Sequence, residues 1–307
     1  LADGLSLEDR GHVRESPRRP QSRASQAHEA RDPADLSEIE AVGDVSGQLG
    51  AIARQTRLLG VNAAIEAARA NAEAMGRELA EMGITVDYHA PFDVRREETD
   101  DVIGDRALGS DPLQVAALGR AVLDGMSRAG IVGCLKHMPG HGRATCDSHK
   151  ELPRVAASDE DLAVDLEPFR TLAAHPLGMS AHIVFEAWDA DDPATLSAKV
   201  IDEIIRQRIG FDGLLLSDDI DMQALDGSIP DRARRALEAG CDIVLNCWAK
   251  MDDQRAIAEQ SPDLGDAAAE RLERVHHAIT APQDGPDTAE LLAKRDALLA
   301  LAEDRAA

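Results

Sequence analysis

The chain has 307 residues, with 33 Lys and Arg against 57 Asp and Glu, and so a formal net charge of −24. That acidic balance argues against nucleic-acid binding, which needs a basic face to displace counterions from phosphates. No uncharged run approaches the roughly 20 residues that a membrane-spanning helix requires, so no membrane partner is expected.

Leu1 and the residues after it show no signal-peptide pattern, and a cytoplasmic location is expected. Residues 1–36 carry five of their six arginines between Arg10 and Arg23, among Ser, Pro and Gln and without apolar periodicity. This segment is predicted to be disordered. Residues 37–82 read as helical: Val42, Val45, Leu49, Ile52, Thr56, Leu59 and Ala63 follow alternating steps of three and four. From Ile84 onward short apolar runs alternate with helical patterns, which predicts βα units feeding a parallel sheet over 83–280. The expected strands are Ile84 to Ala90, Ile131 to Leu135, Gly178 to Phe185, Gly213 to Ser217 and Cys241 to Cys247. Asp111-Pro112 opens a helix with Val115, Leu118, Val122 and Met126 on one face, and Ser197 opens another that Gly210 stops. Gly240 ends the helix before the last strand. A further helix is expected from Ala267 to Ile279, and residues 281–307 form a polar, Ala-rich helical tail with little to bury. Cys134, Cys146, Cys241 and Cys247 lack C-x-x-C spacing and read as free thiols.

In an α/β barrel the reactive groups lie at the C-terminal ends of the strands. Those ends are rich here: Lys136 and His137 open a Lys-His-Met-Pro-Gly-His-Gly run, Asp147-Ser148-His149 follows, His182 lies near the end of the third run, and Ser217-Asp218-Asp219 ends the fourth. Such a set suits polar-substrate catalysis, with donors to hold the substrate, a carboxylate to attack and a titratable acid for a leaving group. His141, between two glycines, either shapes its loop or touches substrate. No metal-ligand spacing such as H-E-x-x-H occurs.

From about residue 67 to 280 the sequence resembles the family 3 glycoside hydrolases, and within them the bacterial β-N-acetylhexosaminidases of peptidoglycan recycling. The resembling stretches are IGDRALG (103–109), KHMPGHG (136–142), DSH (147–149), AHI (181–183), GFDGLLLSDDIDM (210–222) and AGCDIVL (239–245), in consistent order. The resemblance implies a (β/α)8 TIM-type barrel and removal of terminal β-linked N-acetylglucosamine from muropeptide fragments with retention. It makes Asp218 the nucleophile and His149 the general acid/base with Asp147 as its partner. It makes Arg106, Lys136 and His137 the substrate-contacting residues, and implies a small-carbohydrate partner, no metal and no cofactor; His182, by its place near a strand end, is expected to line the pocket and contact substrate as well. Asp219, pointing to the other side of the strand, reads as structural. A phosphorylase using the same residues, and a non-catalytic truncated or chimeric remnant, stand as alternatives.

The family barrel starts with two strands that this chain does not display, so a barrel without them is expected, with Ile84 to Ala90 as the family's third strand. The turn Ala90-Pro91-Phe92-Asp93-Val94 is one residue shorter than usual. Residues 52–70, IARQTRLLGVNAAIEAARA, resemble instead the signalling tip of chemotaxis receptors, a likeness extending over about 38–70. Residues 1–66 are accordingly read as foreign to the hydrolase, through a rearrangement or an out-of-frame stretch.

Overall fold

The computed structural model describes residues 59–303 apart from Ala90 and Ala249. The disorder expected over 1–36, and the chemoreceptor-like segment as far as residue 58, lie outside the described residues. The strands in chain order are β1 (Val86–Asp87), β2 (Val132–Gly133), β3 (Leu135–Met138), β4 (Arg154–Val155), β5 (Leu177–Ser180), β6 (Val184–Phe185), β7 (Leu214–Asp219) and β8 (Ile243–Leu245). The helices are α1 over 59–81, α2 (Pro112–Arg128), α3 (Asp159–Asp165), α4 (Glu167–Thr171), α5 (Ile229–Ala239), α6 (Met251–Gln260), α7 (Asp266–Ala278) and α8 (Thr288–Glu303). A π-type helix, Val200–Ile209, precedes β7.

Every strand pair is parallel. β1 pairs with β2, the chain passes through Cys134 into β3, and β3, β5, β7 and β8 follow in that order. Among the described residues this is an open arc of five strand positions at the five places the sequence predicts. The third run is shorter than expected. β5 stops at Ser180, the Val184 amide donates to the Pro153 carbonyl, and β6 pairs with β4 outside the arc.

Side chains alternate across a strand, so the arc has two apolar faces. Leu215 on one face meets Ile201, Ile204, Ile205 and Ala236, the buried stripes of the helices that follow β5 and β7. Leu214 and Leu216 on the other face cluster with Val132, Cys134, Leu177 and Met179, and the buried Val275 of α7 packs on them with Leu272 and Ala278. Helix α7 thus covers the second face of the arc, a placement that no local pattern announced.

The helix boundaries follow their capping chemistry. The Asp111 carboxylate accepts from the Gln114 amide at 2.8 Å with Pro112 next to it, and the Ser228 hydroxyl accepts from the Asp231 amide. Ser197 accepts from the Val200 amide at 3.1 Å. Gly240 stops α5 with φ +114°, a left-handed conformation that favours glycine. Ala67, Ala70 and Ala74 give α1 a flat face, and α8 lies on it. Leu291 is buried beside Ala70 and Ala74, and the Arg295 guanidinium donates to the Asn71 side chain at 2.9 Å. The tail therefore has one buried anchor, more than its composition suggested. No described helix is long and apolar enough to cross a membrane.

Candidate active site

β7 delivers the central carboxylate. With Leu214 and Leu216 on one face and Leu215 on the other, the strand runs out at Asp218, half-buried, and Asp219, buried. One Asp218 oxygen accepts from the Asp219 amide at 2.9 Å. Burial alone would raise the Asp218 carboxyl, but the nearby His182, His137 and Lys136 and the Asp219 amide outweigh it and hold the group below the usual carboxylate range. It is a charged carboxylate at neutral pH. Asp219 points elsewhere: its Oδ1 accepts from the Asp221 amide at 3.1 Å and the Cys247 amide at 3.0 Å, tying the end of β7 to the loop after β8. Asp221 extends that tie to the Asn246 side chain and the Trp248 amide.

β3 delivers Lys136 and His137. The anchor beneath them is Asp93, in the loop after β1 and fully buried. Its Oδ2 lies 2.8 Å from His137 Nδ1, and its Oδ1 accepts from the backbone amides of His137 at 3.3 Å and His141 at 2.6 Å. Burial would raise this carboxyl, yet the two histidines hold it below the normal range. With Nδ1 donating to Asp93, His137 keeps Nε2 for a ligand. Asp93 escaped the sequence reading, although it follows the first strand run and so obeys the same strand-end rule that picked out the others.

His182 is placed differently from its expected role as a substrate contact. It is fully buried, with Nδ1 2.8 Å from the Thr195 hydroxyl and Nε2 3.0 Å from the Asp219 carbonyl. Both ring nitrogens are occupied by the protein. Burial pushes its pKa down, and Nε2–H donates to the Asp219 carbonyl, while the Thr195 hydroxyl beside Nδ1 also donates to the Ala181 carbonyl at 3.0 Å. His182 supports the strand end beneath Asp218. Arg106 is likewise not gathered in. It ends a 3₁₀ turn, Gly104–Arg106, and its exposed guanidinium donates to the Val102 carbonyl.

The third component is the loop after β3. The Asp147 carboxylate accepts from the His149 amide at 3.0 Å and lies 2.8 Å from His149 Nδ1 and 2.9 Å from Lys150 Nζ. Lys150 first, and then, against the opposing effect of burial, the His149 amide and ring hold the Asp147 carboxyl far below the usual range. The His149 side chain is 62% exposed, with Nδ1 engaged by Asp147. Around the Asp147–His149 pair, Gln223 donates its amide to the His149 carbonyl at 3.2 Å, and the Ser148 hydroxyl lies 3.1 Å from His141 Nε2. His141 is buried, so of its two expected roles the loop-shaping one has the geometry. Among the described residues no group of three or more His, Cys, Asp or Glu side chains converges as a metal site would.

This arrangement can supply an anionic nucleophile, flanking donors and a proton carrier held by a carboxylate. The pattern of the glycosyl hydrolase family 3 N-terminal domain matches residues 8–280, beginning well ahead of the motif-bearing stretch that starts near residue 67. A β-hexosaminidase of Tolumonas auensis is 42% identical over 181 residues, 56% of this chain and 53% of its own. One from Thiobacillus denitrificans is 38% identical over 223 residues, 71% of this chain and 62% of its own. The chain thus spans between half and two thirds of the length of these curated relatives. Among solved structures, NagZ from Neisseria gonorrhoeae in complex with N-trifluoroacetyl-D-glucosamine superposes with a TM-score of 0.67 at 32% identity, covering 80% of this chain and 75% of that one. A family 3 β-N-acetylglucosaminidase from Paenibacillus sp. gives 0.67 at 29% identity, over 78% of this chain and 51% of its own.

Proposed function

This chain belongs to glycosyl hydrolase family 3, and from that premise we propose that it is a retaining exo-β-N-acetylglucosaminidase acting on terminal β-linked N-acetylglucosamine of peptidoglycan fragments. The observation that carries the reading is the convergence on Asp218 of Lys136, His137 and the buried His182, with the Asp147–His149 pair docked to the loop that follows it.

The chemistry runs in two displacements. In the first, an Asp218 oxygen attacks the anomeric carbon, the glycosidic C–O bond breaks, and His149 Nε2–H gives its proton to the departing oxygen. Asp147 stabilises the imidazolium before that transfer and keeps Nδ1 protonated after it. In the second, neutral His149 Nε2 takes a proton from water as the water oxygen attacks the same carbon, and Asp218 leaves as the free carboxylate. Lys136 holds a ring hydroxyl as a donor, and His137, whose Nδ1 is engaged by Asp93, offers Nε2 to another. His182 acts from below by fixing the backbone of Asp219.

The domain reading that goes with this function takes 83–280 as the barrel body, its five described strand positions standing for the third to seventh of the eightfold barrel. The helical segment 37–82 and the tail 281–307 flank it, and residues 1–36 lie ahead. Were the first two barrel strands missing, as the sequence reading has it, the grip on the sugar would weaken and the transition-state binding that sets the rate would fall.

The test is steady-state hydrolysis of a chromogenic β-N-acetylglucosaminide, with and without inorganic phosphate. Asp218→Asn should lower the rate by roughly 10³-fold or more while the folded circular-dichroism spectrum persists. Acceleration by phosphate with release of the sugar phosphate would identify a phosphorylase instead. No turnover by folded wild-type protein would leave the non-catalytic reading.

A further inference from the structure

We infer that His141 is a positioning residue for proton transfer: its ring holds Ser148, and through Ser148 it fixes the Asp147–His149 pair over the site. The inference rests on the function proposed above and adds to it a residue that touches neither substrate nor the reacting atoms.

His141 is 2% exposed and Ser148 3% exposed, a buried polar pair beneath a loop whose next side chain, His149, stands in solvent. The 3.1 Å contact between His141 Nε2 and Ser148 Oγ is the one polar contact of either side chain among the described residues, and His141 Nδ1 is buried without a partner. Burial first, and then the neighbouring His137, push the His141 pKa down to about 4 against the opposing pull of Asp93 and Asp218, so the ring is neutral and carries one proton. Placed on Nδ1, that proton would be a buried donor with nothing to accept it. Placed on Nε2, it goes to the Ser148 oxygen and leaves only a lone pair unmet, the cheaper arrangement.

His141 is itself held in place. Its amide donates to Asp93 at 2.6 Å, and its ring meets His137 edge-on with centroids 5.4 Å apart. Gly142 follows with no room for a Cβ, because one would overlap the Val94 carbonyl. A rigid base therefore grips Ser148, the middle residue of the Asp-Ser-His triplet, and the side chains on either side of it make the proton carrier. Asp93 joins the two halves: one carboxylate sets both the His137 ring and the His141 backbone.

Ser148→Ala removes the grip without changing a titratable group, and Ser148→Thr restores the hydroxyl. Cleavage is followed on a nitrophenyl β-N-acetylglucosaminide, whose leaving group needs no proton, and on an alkyl β-N-acetylglucosaminide, whose leaving group does. Ser148→Ala should lower kcat/KM on the alkyl substrate by about tenfold or more, change it by less than about twofold on the nitrophenyl one, and recover in Ser148→Thr. Hydrogen–deuterium exchange in the ligand-free protein gives a second reading: exchange over 143–152 should rise about fivefold in Ser148→Ala and in His141→Gln, with β7 unchanged. Equal losses on both substrates, or unchanged exchange, would overturn the inference. If the wild type cleaves neither substrate the proposed activity falls, and the exchange comparison still decides whether His141 anchors the loop. If His141→Gln fails to fold, Ser148→Ala carries both measurements.

Discussion

The amide of Gln223 donates to the carbonyl of His149 at 3.2 Å, so the loop leaving Asp218 holds the backbone of the residue proposed to carry the proton. The proposed nucleophile and acid/base sit on different βα units, 69 positions apart in sequence, and this bond joins their loops directly. Because His149 is exposed, its productive direction depends on such backbone ties and on Asp147.

Asp147→Asn tests that dependence. The amide oxygen can still accept from the His149 backbone and ring, which share one Asp147 oxygen, but the charge that stabilises an imidazolium and pairs with Lys150 is gone. The expected outcome is a fall in kcat of about 10²-fold or more on substrates with poor leaving groups, with the fold intact. Steady-state kinetics on an alkyl β-N-acetylglucosaminide checks it, and a kcat within twofold of wild type would show that Asp147 is dispensable.

Asp93→Ala strikes stability first. It leaves the His137 and His141 amides and the His137 ring without their shared buried acceptor, a loss on the order of 3 kcal/mol. The folded carboxyl titrates below its unfolded value, so its contribution is present above the ordinary carboxylate range and is lost as pH falls through the folded value. Urea midpoints of wild type and variant should therefore stand apart at pH 7 and converge towards pH 3. A constant gap over that range would contradict the ion-pair account.

Much of this site was legible in the sequence because strand ends and capping are local. Asp218 closes an apolar run, Asp147 and His149 are two residues apart, and Gly240 stops a helix where the chain needs a positive φ. What was not legible depends on partners far along the chain. Asp93 meets residues 44 and 48 positions later, and α7 reaches a face of the sheet that its own periodicity does not specify. The contacts of His182 were hidden for a related reason: strand-end position suggested a ligand contact, whereas Thr195, 13 residues on, and the Asp219 carbonyl meet its two ring nitrogens.

The four cysteines divide by environment, and alkylation should separate them. Cys134 and Cys241 are buried, and burial pushes both thiols up to about 12, so they should resist iodoacetamide in the native state. Cys247 is exposed, but burial of its sulfur and then Asp219 push it up to about 11. It should react only slowly at pH 7.5 and accelerate up to and beyond pH 9. Mass spectrometry of peptides after timed labelling reads this directly, and rapid labelling of Cys247 at neutral pH would contradict it.

Acid should weaken the fold well before its carboxylates are protonated, and His141 supplies the reason. In the unfolded chain its ring takes a proton near the ordinary imidazole value of 6.5, whereas burial and His137 hold the folded ring at about 4. Between those values the unfolded state binds more protons, so stability is complete above 6.5 and falls as the pH drops towards 4. The gap is worth on the order of 3 kcal/mol for this one group. His182 and His175, whose pKa values burial also lowers, act in the same direction. His141→Asn keeps a polar side chain but removes the titration, so its unfolding free energy should fall less steeply between pH 6.5 and 4.5 than that of wild type. Urea unfolding at intervals across that range measures both slopes. Parallel slopes would mean that His141 is protonated alike in the folded and unfolded states, and that its buried, neutral contact with Ser148 does not exist in solution.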